Sequence, residues 1–211
     1  MTSRTAEDRR KWEELYASGS RPDRPPSTWV LDTLIRLPND GLVLDVAGGS
    51  GRHARHVAGP DRPVILADFI HEAVAKAVAD NASVHGVVAD VTKLPFRPAS
   101  FATMLVAYFL NRDIFTDLVA LLAPGGHLVY ETYTLAHLEL VERGIARGPS
   151  TAEFLLRPQE LLDLVKPLDV LEYWEGEVND DAGRRCCARL IGQKPETRDQ
   201  RPELISRPSG L

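Results

Sequence analysis

A glycine-rich segment with a carboxylate just ahead of it is the part of the sequence best suited to chemistry. Residues 45–51 read DVAGGSG and follow a short apolar stretch, and the candidate ligand-binding positions are Asp45, Ala47, Gly48, Gly49 and Gly51. Glycine accepts the positive φ of a tight turn and lets a ligand approach the backbone closely. A helix is predicted directly after the loop, and the N-terminus of a helix favours anionic groups such as phosphates.

Two kinds of ligand are compatible with this loop. Gly49, Gly51 and Ala54 satisfy the G-x-G-x-x-A spacing of a dinucleotide-binding turn, and Asp68 follows at about the expected distance. A NAD(P)- or FAD-dependent oxidoreductase is therefore one hypothesis. Asp45 argues against it, because a carboxylate in front of the loop would repel a pyrophosphate. The same carboxylate suits a ligand that carries an ammonium group.

Short apolar segments alternate with helical ones along most of the chain. This alternation predicts an α/β fold, a Rossmann-like three-layer sandwich whose mostly parallel sheet is covered by helices on both faces. In such sheets ligands bind at the carboxyl ends of the strands. The predicted strands span residues 42–46, 63–67, 84–88, 101–110, 127–133, 170–177 and 184–191, and the predicted helices span 28–37, 51–58, 72–81, 113–122 and 158–165.

Composition and chain ends set the broad class of protein. The 211 residues carry a formal net charge of −5, whereas a nucleic-acid-binding protein is expected to show a basic patch.

The expected organisation of the chain is a short N-terminal helix and a proline-rich linker over residues 1–26, one domain over 27–194 and a disordered tail over 195–211. Cys186 and Cys187 are adjacent and make a poor disulfide pair, which suits a reducing compartment. With no apolar segment long enough to span a bilayer and no signal peptide, we expect a cytoplasmic protein without membrane contact.

Taken together, the motifs resemble class I S-adenosylmethionine-dependent methyltransferases. The resemblance rests on residues 45–51, Asp68, Asp90 with residues 94–96 (LPF), and residues 122–126 (LAPGG). It implies a seven-stranded sheet with an antiparallel last strand and S-adenosyl-L-methionine as the cofactor. More narrowly, residues 12–16, 51–54, 108–112 and 131–133 are similar to the tellurite-resistance-type methyltransferases. Ala47 departs from the pattern, because many members have a glycine there.

The resemblance also assigns roles to the residues around the loop. Asp45 would orient the loop and the methionine amine, and Asp68 would accept hydrogen bonds from the ribose hydroxyls. Adenine would lie against Phe69 and next to Asp90. Structural alternatives exist for each: Asp68 suits a helix cap, Phe69 the core and Asp90 a turn. The complete predicted set for the cofactor is Asp45, Ala47, Gly48, Gly49, Gly51, Arg52, Asp68, Phe69, Asp90 and Val91.

The methyl acceptor should meet residues that follow the fourth and fifth strands. Tyr108 and Asn111 are candidates to shape its pocket, Arg112 to hold an anionic acceptor by a forked contact, and Tyr133 to line the same space. Asn111 could equally cap the helix that begins beside it. Tyr16 is a candidate lid residue, with packing of its helix as the alternative.

These residues favour in-line methyl transfer to a small-molecule acceptor. No confident general base is visible, although Tyr108 and Glu131 are candidates, and this favours an acceptor that is already nucleophilic. Glu131 could instead pair with a lysine or arginine. Residues 135–159 are a candidate substrate cover. His53 and His56 are expected on the solvent face, and no metal site is predicted.

Three further hypotheses stay open: a methyltransferase acting on RNA or protein, the oxidoreductase, and a non-catalytic sensor of S-adenosylmethionine. The sequence does not define the oligomeric state.

Overall fold

A computed structural model of the chain describes residues 10, 12–16, 18, 24–181 and 183–196. Within them, a seven-stranded sheet has the order β3-β2-β1-β4-β5-β7-β6. The strands are β1 (Val43–Val46), β2 (Val64–Asp68), β3 (Val84–Val88), β4 (Phe101–Ala107), β5 (Leu122–Tyr133), β6 (Asp169–Asp180) and β7 (Gly183–Gln193). The helices are α1 (Thr28–Arg36), α2 (Ala54–Val57), α3 (His71–Asp80), α4 (Phe115–Leu121), α5 (His137–Glu142) and α6 (Glu160–Leu164).

The strand directions confirm the expected fold class. β1 pairs in parallel with β2 and β4, β2 with β3, and β4 with β5. β7 runs antiparallel to both of its neighbours, β5 and β6. The carboxyl ends of β1, β2 and β4 therefore meet at one edge of the sheet, where the motif residues were expected.

Helices cover both faces of the sheet. Successive side chains of a strand point to opposite faces, so each strand contributes apolar residues to both helix layers. Leu105 and Val129 pack against Val30 and Leu34 of α1. On the other face, a larger cluster joins the sheet to helices α4 and α6. Each such apolar side chain contributes about 1.5–3 kcal/mol when it is fully buried. Two layers of helix with a sheet between them make the three-layer sandwich.

Several predicted boundaries were wrong, each for a local backbone reason. α2 begins only at Ala54 instead of residue 51, because Gly51 has φ +72° and cannot enter a right-handed helix. α6 begins at Glu160 instead of residue 158, after Gln159 at φ +60°. Residues 122–126 were expected to end a helix before the strand. They already belong to β5, whose register with β4 shifts over this segment.

Some expectations fall partly outside the described residues. Residues 12–16 are helical as predicted, while Lys11 and Ala17 lie outside the described part of the chain. The same holds for the predicted tail beyond residue 196. Among the described helices, none has the length and apolar character to cross a membrane.

Candidate active site

The glycine loop is held in shape by its neighbours at the ends of β1 and β2. Ala47, Gly49 and Gly51 have φ of +53°, +57° and +72°. The N–H of Gly49 donates to Oδ2 of Asp68 at 2.8 Å. At Gly48 a Cβ atom would lie only 2.8 Å from Cγ of Asp45, so only glycine fits there without a shift. Ala47 tolerates the left-handed conformation at a cost of about 1–2 kcal/mol.

Asp45 lies beneath this loop and is 2 % exposed. Among the described residues its Oδ2 has no hydrogen-bond partner. Burial raises its pKa to about 7, while the positive charge of Arg52 opposes that rise. A buried carboxylate oxygen without a donor is costly. An ammonium group is the kind of donor that would satisfy it, so these residues fit the methionine end of S-adenosylmethionine.

Asp68 is the last residue of β2, and its carboxylate accepts hydrogen bonds from backbone N–H groups. Besides Gly49, it accepts a hydrogen bond from the N–H of Ile70 at 2.9 Å. Phe69 beside it is half-buried.

Asp90 follows β3 and caps the short 3-10 helix Val91–Lys93. Its Oδ1 accepts hydrogen bonds from the N–H and the hydroxyl of Thr92 at 2.9 and 2.8 Å. Burial alone would raise the pKa of Asp90, but the hydrogen bonds from Thr92 outweigh it and lower the pKa. The side chain is thus a charged acceptor at the edge of the sheet, next to the buried Val91.

Tyr108, directly after β4, connects the loop to a buried polar cluster. Its backbone is left-handed, with φ +58°. Its hydroxyl donates to Oε1 of Glu131 at 2.9 Å and accepts from Nε of Arg185 at 2.7 Å. The guanidinium carbon of Arg52 lies 4.6 Å from the centre of its ring. Burial, reinforced by Glu131, raises the pKa of Tyr108, so the phenol stays protonated at neutral pH.

Glu131 is 0 % exposed and forms the centre of that cluster. It accepts hydrogen bonds from the Ser27 hydroxyl and from Arg189, at 3.3 Å for the latter, and pairs with Arg185 at 3.5 Å. Of the two roles considered for Glu131, the ion pair is therefore the one observed.

His53 was expected on the solvent face, and this was wrong. It is 3 % exposed, and its Nε2 accepts the N–H of Ser27 at 3.1 Å. Burial, together with the charge of Arg52, holds the pKa of His53 well below its usual value. His56, by contrast, is exposed.

Arg112 and Asn111 are engaged in structural contacts. Nε and Nη2 of Arg112 form a fork with Glu160 at 2.7 and 2.8 Å. Nη1 and Nη2 also donate to the carbonyls of Glu153 and Leu155 at 2.8 and 3.0 Å. Asn111 caps the next short helix by accepting the N–H of Asp113 at 2.9 Å. In this structure Arg112 makes its forked contact with Glu160, and its predicted role in holding an acceptor stays a prediction.

Tyr133 ends β5 beside Tyr108, and the centres of the two rings are 5.1 Å apart. Its hydroxyl accepts a hydrogen bond from Nη1 of Arg24 at 3.2 Å. On its other side it stacks on His137, with the ring centres 4.4 Å apart. Tyr16 is half-buried in the N-terminal helix, and its predicted lid role stays a prediction.

The comparisons with known proteins agree with this geometry. Residues 43–126 match the family model of a methyltransferase domain. A demethylmenaquinone methyltransferase of Clavibacter sepedonicus is 30% identical over 110 residues, which are 48% of this chain and 45% of that protein. The chain thus spans less than half the length of the curated relative it matches.

Solved structures reproduce the fold over most of the chain. One is a SAM-dependent methyltransferase structure from Methanosarcina mazei, with a TM-score of 0.66, 20% identity, and coverage of 82% of this chain and 99% of that one. Another is the [4+2]-cyclase SpnF, with a TM-score of 0.61, 14% identity and coverage of 80% of each chain. The fold alone therefore does not define a reaction.

Residues 43–126 thus match a methyltransferase domain, and the fold of the chain is the one found in a solved SAM-dependent methyltransferase structure. The comparisons do not extend to the tellurite-resistance subgroup.

Proposed function

We propose that this chain transfers the methyl group of S-adenosylmethionine to a small-molecule acceptor by in-line displacement. The single observation that carries the proposal is the glycine loop folded over Asp45, a buried carboxylate with one oxygen that no residue in the described part of the chain pairs with. This arrangement favours a cationic ligand over the pyrophosphate of a dinucleotide.

Different residues around the loop would then contact different parts of the cofactor. Asp45, Ala47, Gly48, Gly49 and Gly51 would hold the methionine end. In this proposal Asp68, at the end of β2, receives the ribose hydroxyls. Adenine lies between Phe69 on one side and Asp90 with Val91 on the other. When bound, the cofactor supplies a sulfonium-activated methyl group, and the protein supplies orientation.

The acceptor is proposed to bind beside Tyr108 and Tyr133. The Tyr108 phenol stays protonated, Glu131 is paired with arginines, and His137 is 0 % exposed. None of these three side chains is available as a general base. Their state supports an acceptor that is already nucleophilic, such as a thiolate or an oxyanion.

An RNA or protein acceptor is less well supported. A basic groove beside Arg112, Arg143 and Arg147 would favour one, but Arg112 pairs with Glu160 and Arg143 with Glu139, so of these three arginines Arg147 alone makes no ion pair with a described residue. The curated relative is named for demethylmenaquinone, a small molecule.

Two measurements test the proposal. Isothermal titration with S-adenosylmethionine, S-adenosylhomocysteine and NADH should give binding of the first two and none of NADH. Transfer of a radiolabelled methyl group should then be measured with a panel of small thiols, tellurite, demethylmenaquinone and bulk RNA. Labelling of a small molecule is the expected result. Binding of NADH with refusal of S-adenosylmethionine would overturn the proposal, and cofactor binding without any transfer would favour a sensor.

A further inference from the structure

A cavity rich in arginine opens next to Tyr133, outside the glycine loop. Its volume is about 210 Å³. We call it the arginine pocket, and it is lined by Arg24, Tyr133, Ile145, Ala146, Arg147, Gly183, Arg184 and Arg185. Four of these eight residues are arginines, and none is an acid.

The positive charge of the pocket is only partly compensated. Arg185 is paired with Asp180 at 2.6 Å and Arg184 with Glu177 at 2.5 Å. Within the described ranges, Arg24 and Arg147 make no ion pair, and Arg24 donates only to the Tyr133 hydroxyl. Two of the four guanidinium groups thus line the cavity without an acidic partner among the residues that the structure describes.

The same positive field acts on a neighbouring histidine. His137 packs beneath the pocket, with its ring against Tyr133 and close to Gly148. Burial first, and the charges of Arg24 and Arg185 in addition, lower the pKa of His137, although a backbone hydrogen bond to Arg147 opposes them. A neutral histidine leaves the arginines as the charged groups that would meet a ligand.

The pocket adjoins the candidate active site through shared residues. Tyr133 lines the pocket, and its ring lies against that of Tyr108 at an angle, with ring centres 5.1 Å apart. Arg185 lines it as well and donates to the Tyr108 hydroxyl at 2.7 Å. Because Arg52 of the glycine-loop segment lies over the same Tyr108 ring, one aromatic side chain connects the pocket with the loop.

We propose that the arginine pocket binds the anionic group, a carboxylate or a phosphate, of a small methyl acceptor. Guanidinium groups bind both anions through paired, charge-assisted hydrogen bonds. The volume is below the roughly 300–1,000 Å³ of pockets for drug-sized ligands, so it suits an anionic headgroup or a single ring. The assignment rests on the proposed methyl transfer for the identity of its ligand as an acceptor.

Anion binding can be measured without knowing the acceptor. Sodium benzoate and inorganic phosphate are titrated separately into the full chain, followed by NMR or calorimetry at low salt, since salt screens such contacts. The test variant is Arg24→Gln with Arg147→Gln. The matched control is Arg143→Gln, because Arg143 lies nearby in the chain but pairs with Glu139 outside the pocket.

The double variant is expected to weaken binding of at least one anion by about tenfold or more, because charge-assisted hydrogen bonds are the strong ones. Arg143→Gln should leave it unchanged. A preference for benzoate or for phosphate identifies which anion the pocket takes. Absence of binding to the unmodified chain, or equal loss in the control, would overturn the proposal.

S-adenosylmethionine is titrated into all three proteins in parallel. Equal affinities show that the variants are folded and that the cofactor site is separate. If anions bind but S-adenosylmethionine does not, the proposed methyl transfer fails while the anion site stands. If the cofactor binds but the anions do not, only the pocket proposal fails.

Discussion

The hydroxyl of Tyr108 lies 2.9 Å from Oε1 of Glu131 and donates a hydrogen bond to it, although the residues are 23 positions apart. Tyr108 directly follows Ala107, the residue of β4 that pairs with Glu131 of β5. This hydrogen bond connects the buried cluster around Glu131 with Tyr108, beside which the acceptor is proposed to bind.

Tyr108→Phe should destabilise the protein. Glu131 is 0 % exposed and would lose a donor, and Nε of Arg185 would lose its acceptor. We expect the free energy of unfolding in urea to fall by about 1–3 kcal/mol, the cost of an unsatisfied buried polar group. Tyr173→Phe is the matched control, because the Tyr173 hydroxyl also donates to a glutamate, but its acceptor Glu175 is only partly buried whereas Glu131 is fully buried. Equal and small decreases in the free energy of unfolding in both variants would contradict the role of Tyr108 in stabilising the buried cluster.

Cofactor binding should depend on pH through Asp45, whose pKa is about 7. A cationic ligand favours the ionised carboxylate, so affinity for S-adenosylmethionine should rise between pH 6 and 7.5, by up to about tenfold per unit below the pKa. Asp45→Asn should remove most of this dependence in calorimetric titrations. Identical pH profiles for the two proteins would refute the interpretation.

The same raised pKa predicts how stability changes with pH in the ligand-free protein. The unfolded state ionises near 3.8 and the folded state near 7, so the folded form binds more protons between these values. The contribution of Asp45 to stability is therefore present at low pH and is lost as the pH rises towards 7. Thermal unfolding of Asp45→Asn should show a shallower decline over this range than the unmodified chain.

Gly48→Ala should damage the cofactor site. The added methyl group would lie 2.8 Å from Cγ of Asp45 and from Leu66, so the loop has to move. We expect affinity for S-adenosylmethionine to drop about tenfold or more, since the backbone must approach the ligand closely. Gly59→Ala is the control, because its Cβ would meet nothing within 4 Å. Full affinity in the Gly48 variant would place the ligand elsewhere.

Arg112→Lys should loosen the segment between α5 and α6. Lysine cannot reproduce the fork with Glu160 or reach both carbonyls at Glu153 and Leu155. Amide hydrogen exchange in residues 152–160 should accelerate about tenfold. Arg143→Lys, which alters an exposed pair, should not change exchange there. No acceleration in the Arg112 variant would restore this arginine as a candidate for binding the acceptor.

Local sequence patterns predicted most of the strands of the sheet but not the buried polar cluster around Glu131. The strands, the glycine loop and the place of Asp68 at a strand end could be predicted because apolar segments alternate with helical ones and glycines cluster within a short segment. The contact of Ser27 with Glu131 joins residues 104 positions apart, and that of Ser27 with His53 joins residues 26 apart. Such contacts arise only when α1 packs on the sheet. The one local signal is Ser27, because serine is a favoured N-cap residue and Ser27 does cap α1.

Arg185 was missed for a similar reason. In the sequence it is one of two neighbouring arginines in a predicted strand and has no distinguishing motif. Its importance comes from the antiparallel pairing of β7 with β5, which brings it to Glu131 and Tyr108. Residue spacing alone does not reveal such a partner.

The left-handed backbone at Ala47 has a consequence for how the cofactor site assembles. Alanine does not prefer this conformation, so the turn depends on the bonds from Gly48 to Ala67 and from Gly49 to Asp68 on the neighbouring strand. A peptide spanning residues 42–53 would not keep the turn by itself. The loop therefore takes its ligand-binding shape only once β1 and β2 have paired, and a change that separates these two strands would also disable the cofactor site.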